Sequence, residues 1–371
     1  MERIAIVMGK MHSGGKKNLV MEYYRHIDRE KIQFDFICDN DSNAIPFDEI
    51  EILGGRVFII PPYQSILKNI YSIYKLCKKN KYKIIHGYNG TMNLFAMLVA
   101  KFAGVPIRIN ESISMAHNSD RKTIIKNILK VFSKWGSTHY MSNGEACGRW
   151  QFGDNLYDTG EVAVFKTVID TEKNAFIPEL RKDTREKFGL ENNLVIGHIG
   201  RLTEQKNTLF LIDIVASIVK KEPSAKLLLI GSGNLRDEML EKIDRLGIGE
   251  SVLYLGRRED IQKFYNSMDC FVLPSLYEGL PVVGVEAETC GLPIFFSTEI
   301  PRESSPCDEL GHFISLDNSA DEWAEEIIKV TKENIEKRRS YIEDVKAAGF
   351  DSGHEAEKLL NYYENILETV N

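Results

Sequence analysis

Residues 269 to 297, DCFVLPSLYEGLPVVGVEAETCGLPIFFS, decide the architecture of this chain. The run "DCFVLP" (269 to 274) has the length and the apolar content of a buried strand. A loop follows, and "VVGVEAETC" then reads as a helix that Pro281 opens in its first turn and that stops near Gly291. "PIFFS" (293 to 297) is a second buried strand. Strand, loop, helix and strand in this order form a βαβ unit, the building block of parallel sheets. Two acids interrupt the apolar character. Glu278 falls on the loop at the strand's carboxyl end, and Glu286 about one and a half turns into the helix, on the face near Val282 and Val283. Glu288 points elsewhere. A capping acid and a solvated helix acid are the plain alternatives.

The same alternation extends in both directions. Strands are expected at 3 to 8, 34 to 39, 56 to 61, 83 to 88 and 107 to 112, and again at 194 to 200, 225 to 231, 251 to 256, 269 to 274 and 293 to 297, with amphipathic segments between them. The fold class is α/β, with two doubly wound domains. Residues 1–165 form the first and 194–345 the second. A charged, strand-free junction lies at 166–193, and a helix at 346–371 packs back on the first domain. Doubly wound sheets place ligands at the carboxyl ends of their strands, so the site is expected in a cleft between domains.

Composition narrows the class. With 43% hydrophobic and 27% charged residues the chain is an ordinary globular protein, and a net charge of −7 argues against general nucleic-acid binding. The charge is unevenly spread: residues 1 to 165 carry a net +6 and the remainder −13. Lys68, Lys75, Lys78, Lys79, Lys81 and Lys83 form one basic run, and Arg121, Lys122, Lys126, Lys130 and Lys134 a second at near-helical spacing. Such faces suit an anionic membrane surface or acceptor, or else are solvated helix faces. Six cysteines without CxxC or paired spacing read as buried thiols of a reducing compartment. No signal-peptide pattern and no long uncharged apolar window occurs, so a cytoplasmic location with peripheral contact at the inner face of the plasma membrane is expected.

The remaining motifs lie at strand ends. "GKMHSGGKKNLV" (9 to 20) puts Gly14 and Gly15 before a helix, where free backbone N–H groups favour a phosphate, or simply make a tight turn. "GRLTEQKN" releases Arg201 and Lys206 from the next sheet, two cations able to hold a diphosphate. Gly231 and Gly256, with Arg257, sit at two further strand ends, where small residues leave room for a base and a ribose. The N–H groups of Gly279, Leu280 and Val282 are unpaired at a helix start, and Pro281 has none to give.

Taken together, "SLYEGLPVVGVEAETCGLPI" with E-x7-E at Glu278 and Glu286, "GRLTEQKN", and the Gly-Gly loop resemble the retaining GT-B glycosyltransferases of family 4. "MSNGEACGRWQFG" and "VPIRINES" resemble the exopolysaccharide and capsular polysaccharide branch. The resemblance implies transfer of a hexose or N-acetylhexosamine from a UDP-sugar to a glycan or polyprenyl-linked acceptor, without a cofactor or metal. Arg201 and Lys206 would bind the diphosphate, Glu278 the sugar hydroxyls, Glu286 the ribose, and the backbone from Gly279 to Val282 the sugar and phosphate. Gly15 would approach the phosphate, and Gly256 and Arg257 the base. On the acceptor side the resemblance points to His117 or, in its place, Glu111, with Asn110 beside it. A sugar-nucleotide epimerase and a catalytically silent assembly protein are the alternatives.

Overall fold

The computed structural model describes residues 1–12, 14–113 and 123–370. The chain divides into two compact units: residues 1–168 with 352–371, and residues 169–351. In the first, β1 (Glu2–Gly9), β2 (Ile32–Asp39), β3 (Arg56–Ile60), β4 (Ile84–Gly87), β5 (Ile107–Ser112), β6 (His139–Ser142) and β7 (Val162–Val164) form an all-parallel sheet in the order 3-2-1-4-5-6-7. The second holds β8 (Val195–Ile199), β9 (Lys226–Ile230), β10 (Val252–Tyr254), β11 (Cys270–Leu273), β12 (Ile294–Ser297) and β13 (Gly311–Ile314), parallel and ordered 10-9-8-11-12-13.

Strands buried on both faces need no polar alternation, which is why the sequence shows continuous apolar runs. In β1, Ile4, Ile6 and Met8 pack with Leu19, Tyr23 and Tyr24 of the helix Gly15–His26 and with Leu359 and Tyr363 of the helix Ser352–Glu368. The alternate residues Ala5 and Val7 pack with Ile73 and Cys77 of the helix Ile66–Asn80 and with Met97 of the helix Asn93–Ala103. In the second unit Ile196 meets Leu211, Val215 and Trp323, while Val195 meets Phe264, Tyr265 and Leu292.

The charged stretch before β8 is folded into the second unit. Its helix Pro178–Phe188 presents Arg181 and Arg185 to Asp269, whose Oδ2 also accepts the Val195 N–H at 2.8 Å. β6, β7 and β13 are strands the apolar pattern does not announce. They are three or four residues long, partly exposed, and lie toward one edge of their sheets.

Helix Val282–Thr289 starts one residue later than the sequence indicates. Pro281, with ψ at 100°, precedes it, which leaves Glu286 one turn inside, and Gly291 follows its end at φ +70°. The six cysteines are buried free thiols. Among the described residues no helix is long and apolar enough to cross a membrane.

Candidate active site

The second sheet reverses its order between β8 and β11, and the loops leaving these two strands carry the cations and the first acid. The loop after β8 lies against the loop after β11 through defined bonds. Leu276 N–H donates to Gln205 O at 2.8 Å, Gln205 Nε2 donates to Tyr277 O at 3.1 Å, and Arg201 Nη2 donates to Gln205 Oε1 at 2.9 Å. This lacing brings Lys206 Nζ to 2.6 Å from Glu278 Oε1, with both side chains about nine-tenths buried. Lys206 and Glu278, which the family resemblance assigns to different parts of a ligand, are one ion pair. Arg201 stays exposed.

Glycines set the floor. Gly231 has φ +148°, and a Cβ there would stand 1.8 Å from Gly200 O. A Cβ on Gly233 would stand 2.0 Å from Leu202 O. The strand ends are therefore packed backbone against backbone, with Gly200 N–H on Ile230 O at 3.0 Å and Gly231 N–H on Gly256 O at 2.8 Å. Gly256 turns at φ +62° and Arg257 is exposed beside it.

At the start of helix Val282–Thr289, Gly284 N–H donates to Pro281 O at 2.9 Å. The amides of Gly279, Leu280 and Val282 meet no backbone acceptor among the described residues. Helix starts with such open donors attract anions. Glu286 is fixed by Tyr265, whose hydroxyl donates to Oε2 at 2.7 Å. Tyr265 is buried, and its phenol is pushed well above the ordinary value by desolvation and by the Glu286 charge.

Two titratable residues near this site went unnoticed in the sequence or were set aside there. His198, on β8, is fully buried, and its Nδ1 lies 2.8 Å from Val272 O. That carbonyl can only accept, so the proton sits on Nδ1 and Nε2 carries the lone pair. A Cβ on Gly200 would lie 3.1 Å from His198 Nε2 and 3.7 Å from Lys206 Cε. Burial, with the Lys206 charge adding to it, lowers the imidazole to about 4. Glu288, also fully buried, accepts the Cys307 N–H at 2.9 Å and bonds to Ser305 Oγ; burial raises it to about 8. It ties helix Val282–Thr289 to the loop before β13.

In the first unit, Gly14 and Gly15 are exposed at the start of helix Gly15–His26, and nothing lies within 4 Å of a Cβ built on either. Asn110 is buried, with its amide spent inside the unit: Oδ1 accepts from Asn93 and Gln151, and Nδ2 donates to Ser133 O at 2.7 Å. Glu111 is also buried. Its Oε2 is 2.9 Å from His86 Nε2, and His86 Nδ1 is 2.8 Å from the Tyr363 hydroxyl. His117 lies outside the described residues.

Two Rossmann-like parallel sheets in one chain make this a GT-B protein. HepE of Anabaena, solved in complex with UDP, has a similar fold at a TM-score of 0.78 and 18% identity, with 98% of this chain and all of that one covered. Residues 181–348 match the family model for glycosyl transferases group 1. Over 375 residues, 98% of this chain and 96% of its relative, the sequence is 32% identical to the putative glycosyltransferase EpsF of Bacillus subtilis. It is also 26% identical to the UDP-Gal:alpha-D-GlcNAc-diphosphoundecaprenol alpha-1,3-galactosyltransferase of Escherichia coli, over 86% of each chain. The chain belongs to the group 1 glycosyltransferases and is an enzyme of that kind.

Proposed function

We propose that this enzyme transfers a hexose or N-acetylhexosamine from a UDP-sugar, with retention, to a lipid-linked glycan during assembly of a surface polysaccharide. The observation that carries the reading is the Lys206–Glu278 pair at the switch point of the second sheet, beside an open helix start. The names of its relatives support the substrate class: the Escherichia coli protein uses UDP-Gal and a diphosphoundecaprenol acceptor, and others serve Vi polysaccharide and amylovoran biosynthesis. HepE has also been solved with UDP-glucose.

In this reading the donor diphosphate sits against Lys206, Arg201 and the amides of Gly279, Leu280 and Val282. As the bond from the anomeric carbon to the phosphate oxygen breaks, negative charge grows on the diphosphate, and these groups stabilise it in place of a divalent metal. Glu278 holds Lys206 and accepts from sugar hydroxyls; Glu286, steadied by Tyr265, accepts from the ribose. Gly256 and Arg257 border the base, and Gly14 and Gly15 are the phosphate-binding candidates of the first unit. Glu111 or His117 serves the acceptor.

Contact with an anionic membrane surface at the inner face of the plasma membrane belongs to the same reading. Ile125, Ile128 and Val131 of the helix Thr123–Phe132, and Trp135 beyond it, are exposed, and Lys134 is exposed beside them. Apolar side chains flanked by lysine suit the headgroup boundary.

The test is turnover of a panel of nucleotide sugars, followed by mass analysis with polyprenyl-linked acceptors. Lys206→Ala and Glu278→Gln are expected to lower kcat by about 10²–10³-fold with the fold intact. Full activity in both variants sinks the assignment. Formation of a 2-epimer, or binding without turnover, would replace it by one of the two alternatives.

A further inference from the structure

Arg338 follows the helix Ala320–Asn334 in the second unit and is half-buried, with its guanidinium carbon 4.3 Å from the centre of the Phe176 ring. Each of its five N–H groups has an acceptor. Nε donates to Cys290 O at 3.0 Å. Nη1 donates to Asn266 O at 3.1 Å and to Met268 O at 2.5 Å, and Nη2 to Tyr265 O at 2.8 Å and to Cys290 Sγ at 3.1 Å. None of these acceptors is a carboxylate. Burial lowers the guanidinium below its ordinary value.

The acceptors share a place in the fold. Tyr265, Asn266 and Met268 lie at the end of the helix Gln262–Ser267, and Cys290 directly follows the helix Val282–Thr289. Carbonyls at helix ends lack partners within the helix and carry the negative end of its dipole. Arg181 also donates to Asn266 O and Met268 O, whereas Arg338 bridges Tyr265 O to Cys290 O. The hydroxyl of the same Tyr265 holds Glu286 of the neighbouring helix. Two links therefore set these helices against each other, one through side chains and one through Arg338 at their carboxyl ends. Helix Val282–Thr289 is about 12 Å long, so a tilt of about 5° about its carboxyl end moves its first amides by about 1 Å. A displacement of that size is enough to lose a directional hydrogen bond to a ligand.

We infer that Arg338 is a positioning residue for the nucleotide: by fixing the ends of the two helices against each other it aims Glu286 at the ribose. It acts through Tyr265 and the backbone of Cys290. The inference rests on the glycosyltransferase reading above, in which Glu286 accepts from the ribose, and adds to it the residue that sets that aim. A lysine in this place would bring three donors to five acceptors, as a point charge without the planar fork.

The test compares UDP with 2′,3′-dideoxyuridine 5′-diphosphate, which lacks both ribose hydroxyls, by titration calorimetry on the full chain. The ratio of the two Kd values isolates the ribose contacts, because a general loss of structure or of diphosphate contacts weakens both ligands alike. Wild type is expected to prefer UDP by about 10- to 100-fold, the worth of a hydrogen bond to a charged group. Glu286→Gln should lose most of that preference. Arg338→Lys should reduce it to less than about a third of the wild-type ratio, with Glu286 itself unchanged. If Arg338→Lys fails to fold, Arg338→Gln, which leaves no buried charge, takes its place with the same expectation. A wild-type ratio kept by the folded Arg338 variant, while Glu286→Gln loses it, overturns the inference and leaves the donor reading standing. No preference in wild type, or one that Glu286→Gln does not change, removes the ribose role of Glu286 and the inference with it.

Discussion

At the scale of single residues, His198 and Glu288 show how burial turns an ionisable side chain into a fixed partner. His198 remains neutral, its tautomer set by Val272 O, and its bare Nε2 faces the region of Lys206. Glu288 is linked to pH. Its folded value of about 8 lies above the ordinary 4.5, so its contribution to stability is whole below about 4.5 and is lost as pH rises through about 8. Glu288→Gln mimics the protonated acid. Melting curves should coincide with wild type at pH 5 and show the variant more stable at pH 8.5, by about 2–4 kcal/mol. Glu278, Glu286, Arg201 and Lys206 stood out as candidates in the sequence because charged residues at strand ends, or inside an apolar helix, break the surrounding pattern. Tyr265 and His198 did not, because their partners lie 21 and 74 positions away and only the fold brings them together.

At the scale of elements, close approach of two loops explains a difference between glycines that composition does not show. A Cβ at Gly231 collides with the Gly200 carbonyl, whereas one at Gly256 meets nothing within 4 Å and suffers only from its positive φ. Gly256→Ala should cost about 1–2 kcal/mol in urea unfolding. Gly231→Ala should cost more than about 3 kcal/mol and weaken binding of the proposed UDP-sugar donor, since the loop after β8 that carries Arg201 and Lys206 has to move. Equal costs for the two would show that the loops yield freely. The central strands were readable from their apolar runs because both faces are covered. β6, β7 and β13 were not, since a three- or four-residue segment such as "HYMS" carries too few buried positions to form a pattern. The helix boundary at Pro281 shifted by one residue because proline serves as readily before a helix as in its first turn.

At the scale of the whole molecule, the chain leaves its first unit at residue 168 and re-enters it at 352. The returning helix Ser352–Glu368 buries Ala356, Leu359, Leu360, Tyr363 and Ile366 against β1, β2 and the helix Gly15–His26, and Tyr363 supports the His86–Glu111 pair. Several side chains at about 1.5–3 kcal/mol each add up to most of the net stability of a domain. A chain ending at residue 351 should therefore lose the cooperative melting of its first unit and keep that of residues 169–351, as hydrogen exchange resolved by peptide would show. Removing Asp269 tests the other unit. Asp269→Ala leaves Arg185 buried without its carboxylate and should cost about 3–5 kcal/mol there.

The re-entrant helix also sets a timetable for biosynthesis. Residues 169–351 all leave the ribosome between the first sheet and the helix that completes its core. At about 5–20 residues per second this takes roughly 10–40 s. During that interval the nascent first unit presents the apolar strip later covered by Leu359 and Tyr363, open to chaperones, while the second unit has everything it needs to fold. The second unit is thus ready before the first, and a ribosome that stalls inside the second unit releases a chain that cannot finish the first.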